Sequence, residues 1–192
     1  MTVQAEKETP TVGQWVEGYE IPVINERAVR AAAGILLVIG GVAIAAAWKY
    51  SNPDLLKPFG IFFMFDMVIR LFLGDRLSPT MILGRFIVRK QTPEWVGASQ
   101  KLWAWWLGYG MALTSCFAMG FFGAPFAVVM SLCSLCVTFL FLETAFGICV
   151  GCSLQRVFSK TKPQYCPGGV CGVPNHNHDV PNPNHDVPTH NH

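Results

Sequence analysis

The stretch Ala31–Trp48, AAAGILLVIGGVAIAAAW, holds eighteen consecutive residues without a charge, an amide or a hydroxyl. A helix on the surface of a soluble domain needs a polar face at helical period, and no phase of this stretch supplies one. Roughly 20 such residues span a bilayer, so the stretch predicts a transmembrane helix. Three further windows repeat the pattern: Leu55–Leu73, Leu102–Phe122 and Pro125–Cys149. The second carries Lys57 near its start and Asp66 and Arg70 inside it.

Across the 192 residues, 52% are hydrophobic and 14% charged, against about 25% charge in an ordinary soluble domain. The fold class expected is therefore all-α, a four-helix transmembrane bundle with spans at about 29–48, 55–73, 102–122 and 125–150. Residues 1–24 read as a polar lead-in and residues 25–158 as the membrane domain. No cleavable leader is expected, since the first about 28 residues are polar and no small-residue cleavage site follows.

With four spans, both termini and the middle loop share one side. That side holds Arg27, Arg30, Arg76, Arg85, Arg89, Lys90, Lys101, Arg156, Lys160 and Lys162, and the other holds Lys49 and Lys57. Ten against two predicts a multi-pass protein of a bacterial inner membrane with both termini cytoplasmic. A net charge of +2, placed at the membrane ends, gives no reason to expect nucleic acid; the lipid bilayer is the expected partner.

Between the second and third windows, TMILGRFIVRK sets apolar residues among Arg85, Arg89 and Lys90. This spacing predicts a short amphipathic helix on the cytoplasmic surface. Asn25 is placed to cap the first helix, and Glu26 suits its positive end. Asp66 and Arg70 stand four apart, acid first, the order that pairs on a helix. Two readings apply: an ion pair that fixes helix packing, or a polar cytoplasmic vestibule. Glu143 lies within the fourth window and is expected to bond into the bundle, with Arg70 as one partner.

Seven cysteines fall into three pairs and a single, Cys116. Cys133 and Cys136 form CSLC inside the fourth window and read as packing residues. Cys149 and Cys152 form CVGC at its end, flanked by Gly147, Gly151 and Arg156. One helical face would carry both sulfurs, and the glycines make local unwinding cheap. A helix C-terminus, however, opposes thiolate formation, unlike the N-terminal site of thioredoxin-type pairs. CVGC therefore reads either as a thiol-redox or sulfur-transfer site or as small packing residues. At about 1.5 Å per residue, Cys133 and Cys149 lie roughly 24 Å apart, too far to exchange electrons directly.

Residues 159–192 are rich in Pro, Gly, Asn and His, and NHDVP occurs twice, at 177–181 and 184–188. Such a composition predicts a flexible tail. Within it, Cys166, Cys171, His176 and His178 offer a zinc-like or copper-like ligand set in a spacing unlike a standard zinc finger. Three functions follow as expectations: thiol chemistry at Cys149 and Cys152, soft-metal binding through the tail, or a non-catalytic accessory subunit of a larger membrane complex. No nucleotide-binding loop, acyl-transfer triad or helical HExxH is present.

PVINERAVRAAAG, RLSP and LETAFGICVGC together resemble an uncharacterised bacterial four-helix inner-membrane family, domain of unknown function 4395, over residues of about 20–158. The resemblance implies fold and membrane location. It also implies neighbours that handle thiols and sulfur, such as thioredoxin-like and sulfurtransferase proteins.

Overall fold

A computed structural model describes residues 10–17, 19 and 21–146 of the chain. The described residues are mostly helical, with five α-helices and one short ribbon among them. Strand β1 (Val23–Asn25) runs antiparallel to β2 (Trp95–Gly97), pairing Val23 with Gly97, Ile24 with Val96 and Asn25 with Trp95. This ribbon departs from the all-helical expectation. Three residues per strand are too few for a period-two pattern to stand out in sequence.

Helix α1 (Glu26–Tyr50) leaves directly from β1, and α4 (Ala98–Gly120) leaves directly from β2. The ribbon thus sets the starts of both helices side by side. Asn25 caps α1 as its sequence predicts: Oδ1 accepts from the Arg27 N–H at 3.1 Å. The same oxygen accepts from the Glu94 N–H at 3.3 Å, which ties the cap to the chain entering β2.

Helix α2 (Lys57–Val68) follows a 3-10 turn at Pro53–Leu56 and passes into a π-helical turn at Ile69–Leu73. Pro58 falls in its first turn, where no backbone N–H is missed. Gly74 ends the segment at φ 102°, and a Cβ there would lie 2.5 Å from the Thr11 carbonyl oxygen, so only glycine fits. Helix α5 (Phe126–Phe141) likewise passes into a π-helical turn, Leu142–Phe146. Helical segments run through each of the four apolar windows, as far as the described residues reach.

The short helix α3 (Pro79–Val88) stands where the amphipathic pattern places it. It packs on the first turns of α1 rather than lying alone on a surface: at Gly84 a Cβ would come within 2.6 Å of the Ala28 carbonyl oxygen. Its inner face is Thr80, Met81, Gly84 and Val88, while Ile82, Leu83, Phe86 and Ile87 face outward.

Two apolar clusters hold the helices together. The larger joins Val29, Ala32 and Leu36 of α1 to Phe63 and Met67 of α2, Trp105 of α4 and Leu140 of α5. The smaller joins Ala47, Leu56, Val129 and Met130 at the opposite end of the helices. Two helical segments, Glu26–Tyr50 and Phe126–Phe146, are long and apolar enough to cross a membrane.

Candidate functional site

Five charged side chains are buried among the described residues. Asp66, Arg70, Asp75, Lys101 and Glu26 are all at most 2% exposed. They gather where α1 and α4 begin and where α2 and α5 end.

At the end of α2, Arg70 Nε stands 2.7 Å from Asp66 Oδ2. Asp66 and Arg70 are joined by a loop hydroxyl and a helix cap. Ser78 Oγ donates to Asp66 Oδ1 at 2.7 Å and accepts from Arg70 Nε at 3.2 Å. Thr80 Oγ1 donates to Asp66 Oδ2 at 2.8 Å and accepts from Arg70 Nη2, and the Thr80 N–H donates to Asp66 Oδ1 at 3.2 Å. Ser78 is also the N-cap of α3, accepting from the Met81 N–H at 3.3 Å. The indole of Trp105 covers the guanidinium, 5.2 Å from ring centre to Cζ. A buried ion pair is tolerated only with such complete satisfaction. Of the two readings of Asp66 and Arg70, this network is the packing one: the pair fixes α2, the following loop and α3 in one geometry.

The second group centres on Lys101. Its Nζ lies 2.8 Å and 3.0 Å from the two carboxylate oxygens of Glu26, and 3.0 Å from Glu143 Oε1. One ammonium therefore bridges α1, α4 and the end of α5. Glu143 does bond into the helix interior, but its ion-pair partner is Lys101 and not Arg70. Arg70 and Glu143 instead line one cavity of about 50 Å³, with Trp105, Phe63, Met67 and Cys136. That is room for a water molecule. Glu26, expected to serve the dipole of α1, is buried against Lys101 instead.

Arg30 completes this end. Its Nη2 donates to the Thr144 carbonyl at 2.9 Å and to the Ala145 carbonyl at 3.3 Å, and Nε donates to Thr144 at 3.3 Å. The guanidinium thus ties α1 to the π-helical turn through the Thr144 and Ala145 carbonyls.

Neither Lys101 nor Glu26 stands out in sequence. Each sits at the edge of an apolar window, where an inward lysine and a flanking lysine have the same spelling. Ser78 and Thr80 lie at the N-cap and in the first turn of α3, with their carboxylate partner twelve and fourteen residues earlier.

The described cysteines share a second space, which Cys136 borders as well as the first. Cys116, Cys133 and Cys136, with Met111 and Met119, border a cavity of about 220 Å³ between α2, α4 and α5. All three are free thiols, and Cys133 Sγ lies 3.5 Å from Ser115 Oγ. Among the described residues no group of three or more His, Cys, Asp or Glu could hold a metal ion. Cys149, Cys152, Cys166, Cys171, His176 and His178 lie outside the described residues.

Residues 24–160 match the model of a family described as Domain of unknown function (DUF4395). No curated protein and no solved structure matches the chain.

Proposed function

We propose, from the premise that the chain belongs to the family described as Domain of unknown function (DUF4395), that it is a four-span integral membrane protein with thiol chemistry at its charged end. The membrane part rests on one observation: the usual distribution of polarity is inverted. Lys101, Asp66, Arg70 and Glu26 are buried, while Val38, Ile61, Phe65, Phe72, Phe117 and Leu135 face outward. In the two most apolar helices only 28% and 17% of the apolar window is buried. A soluble core helix would show the opposite. Helix α2 with its π turn, and α4 with its outward Trp103 and Trp106, serve as the other two spans. The positive-inside balance then places both termini in the cytoplasm. Alkaline carbonate extraction tests the first part: the protein should stay in the membrane pellet, and release into the supernatant would sink it.

The thiol part is supported by Arg30. A helix C-terminus disfavours thiolates, but here a guanidinium sits on the Thr144 and Ala145 carbonyls, and Cys149 and Cys152 follow four to eight residues later in sequence. One thiolate attacks a substrate disulfide, forming a mixed disulfide and expelling a substrate thiolate. The second thiolate then attacks the sulfur of the first cysteine, expelling the other substrate thiolate and leaving a Cys149–Cys152 disulfide. A thioredoxin-like partner restores the dithiol with its own electron pair. Alkylation of intact membranes from the cytoplasmic side, with and without reductant, is the test. Cys149 and Cys152 should label only after reduction or compete with a disulfide substrate; inert thiols in both conditions defeat the reading.

A further inference from the structure

Beside the charged end lies an open groove of about 400 Å³ that sets the polar side chains of Gln14, Asn25, Asp75, Arg76 and Arg85 beside Ile24 and Trp95. Its volume falls in the range of roughly 300–1,000 Å³ typical of small-ligand clefts. Asp75 is already engaged on both oxygens. Oδ1 accepts from the Gly13 N–H at 3.0 Å, and Oδ2 pairs with Arg85. Arg85 uses one nitrogen in that pair and keeps its remaining donors. Asn25 spends its carbonyl oxygen on the α1 cap, which leaves its amide N–H groups as donors. Arg76 is exposed and has no ion pair or hydrogen bond within the described residues. With Arg76 and Arg85 against Asp75, the wall carries one net positive charge.

We infer that this groove binds a phosphate ester or free phosphate through Arg76, Arg85 and Asn25. Two guanidinium forks and an amide suit the planar pairs of oxygens of a phosphate group. The uncompensated charge of Arg76 selects an anion over a zwitterion. Exposed Leu77, Ile82 and Phe86 stand next in sequence and on the neighbouring helix α3, an apolar surface beside the polar groove. That arrangement suits a phospholipid whose headgroup enters the groove and whose chains run along α3. The lipid source rests on the membrane reading above; the phosphate chemistry does not.

The full-length protein in detergent is incubated with equal amounts of phosphatidylglycerol and phosphatidylcholine, and retained lipid is counted by native mass spectrometry. A parallel arm measures inorganic phosphate binding by ³¹P line broadening at low salt. Wild type should retain phosphatidylglycerol preferentially. Arg76→Gln should lower that retention about five-fold, the scale of one arginine at an anionic surface, and Arg76→Lys, which keeps the charge and loses the fork, should restore only part of it. Lys49→Gln is the control, because Lys49 is exposed at the far end of α1, away from the groove and from α3. Arg76-dependent broadening of inorganic phosphate without lipid preference assigns the site to free phosphate. Identical behaviour of wild type and Arg76→Gln in both arms, or an equal loss in Lys49→Gln, overturns the site.

Discussion

Lys101 Nζ lies 3.0 Å from Glu143 Oε1, across the boundary between α4 and α5 and forty-two residues apart in sequence. The same nitrogen reaches Glu26, seventy-five residues away on α1. Replacing Lys101 by Met leaves two buried carboxylates facing each other. Breaking one side of a buried pair costs about 3–5 kcal/mol, so Lys101→Met should lower the unfolding midpoint sharply in detergent. Glu143→Gln, which keeps a hydrogen-bond acceptor and removes one of two anions, should cost clearly less. Equal losses would show that Lys101 serves Glu143 alone.

Asp66 and Arg70 offer a cleaner energetic test. Either Asp66→Leu or Arg70→Met alone strands a charge with its hydroxyl partners, at about 3–5 kcal/mol. The double substitution removes both charges and should be less destabilising than the sum of the singles. A double-mutant cycle by chemical denaturation reads the coupling directly. Additive losses would mean that the pair contributes nothing beyond packing.

Close backbone approach predicts opposite outcomes at two glycines. Gly84→Ala forces a methyl group toward the Ala28 carbonyl and should cost about 1–3 kcal/mol, since α3 would lift from α1. Gly41→Ala meets nothing within 4 Å and should be neutral or slightly stabilising. Thermal melts of the two variants side by side distinguish a packing contact from a general intolerance of change.

Arg30→Gln removes the guanidinium from the Thr144 and Ala145 carbonyls. A charge at a helix end is worth about 0.3–1 kcal/mol. Alkylation of Cys149 and Cys152 should slow by roughly two- to five-fold at neutral pH, on that scale. Cys133→Ala should leave the same rate unchanged, because Cys133 lies in a cavity at the other end of α5. An Arg30→Gln variant that labels at the wild-type rate removes the support for thiol chemistry here.

The helices were legible because each rests on local information. Ala31–Trp48 has no polar face, Asn25 sits one residue before an acidic first turn, and Asp66 and Arg70 are one helical turn apart. The charged end was legible only where its partners are neighbours in sequence. Lys101, Glu26 and Glu143 meet through tertiary packing, and no spacing rule connects positions so far apart. The β-ribbon was hidden for the same reason: Val23–Asn25 and Trp95–Gly97 each carry too few residues to show a pattern, and only their pairing defines them. The short helix α3 was visible in its periodicity, but its apolar side was outward and its seat on α1 was written in one small residue, Gly84.

The Lys101 bridge also has a history within each molecule. Glu26 leaves the ribosome seventy-five residues before Lys101, a delay of roughly 4–15 s at ordinary bacterial and eukaryotic synthesis rates of about 5–20 residues per second. During that interval Glu26 has been synthesised and the lysine that meets it has not. The β2 strand emerges immediately before α4, so its pairing with β1 delivers Lys101 to Glu26 as soon as it can be delivered. The ribbon is then a device of timing: it shortens the period during which the nascent chain carries an unmatched charge.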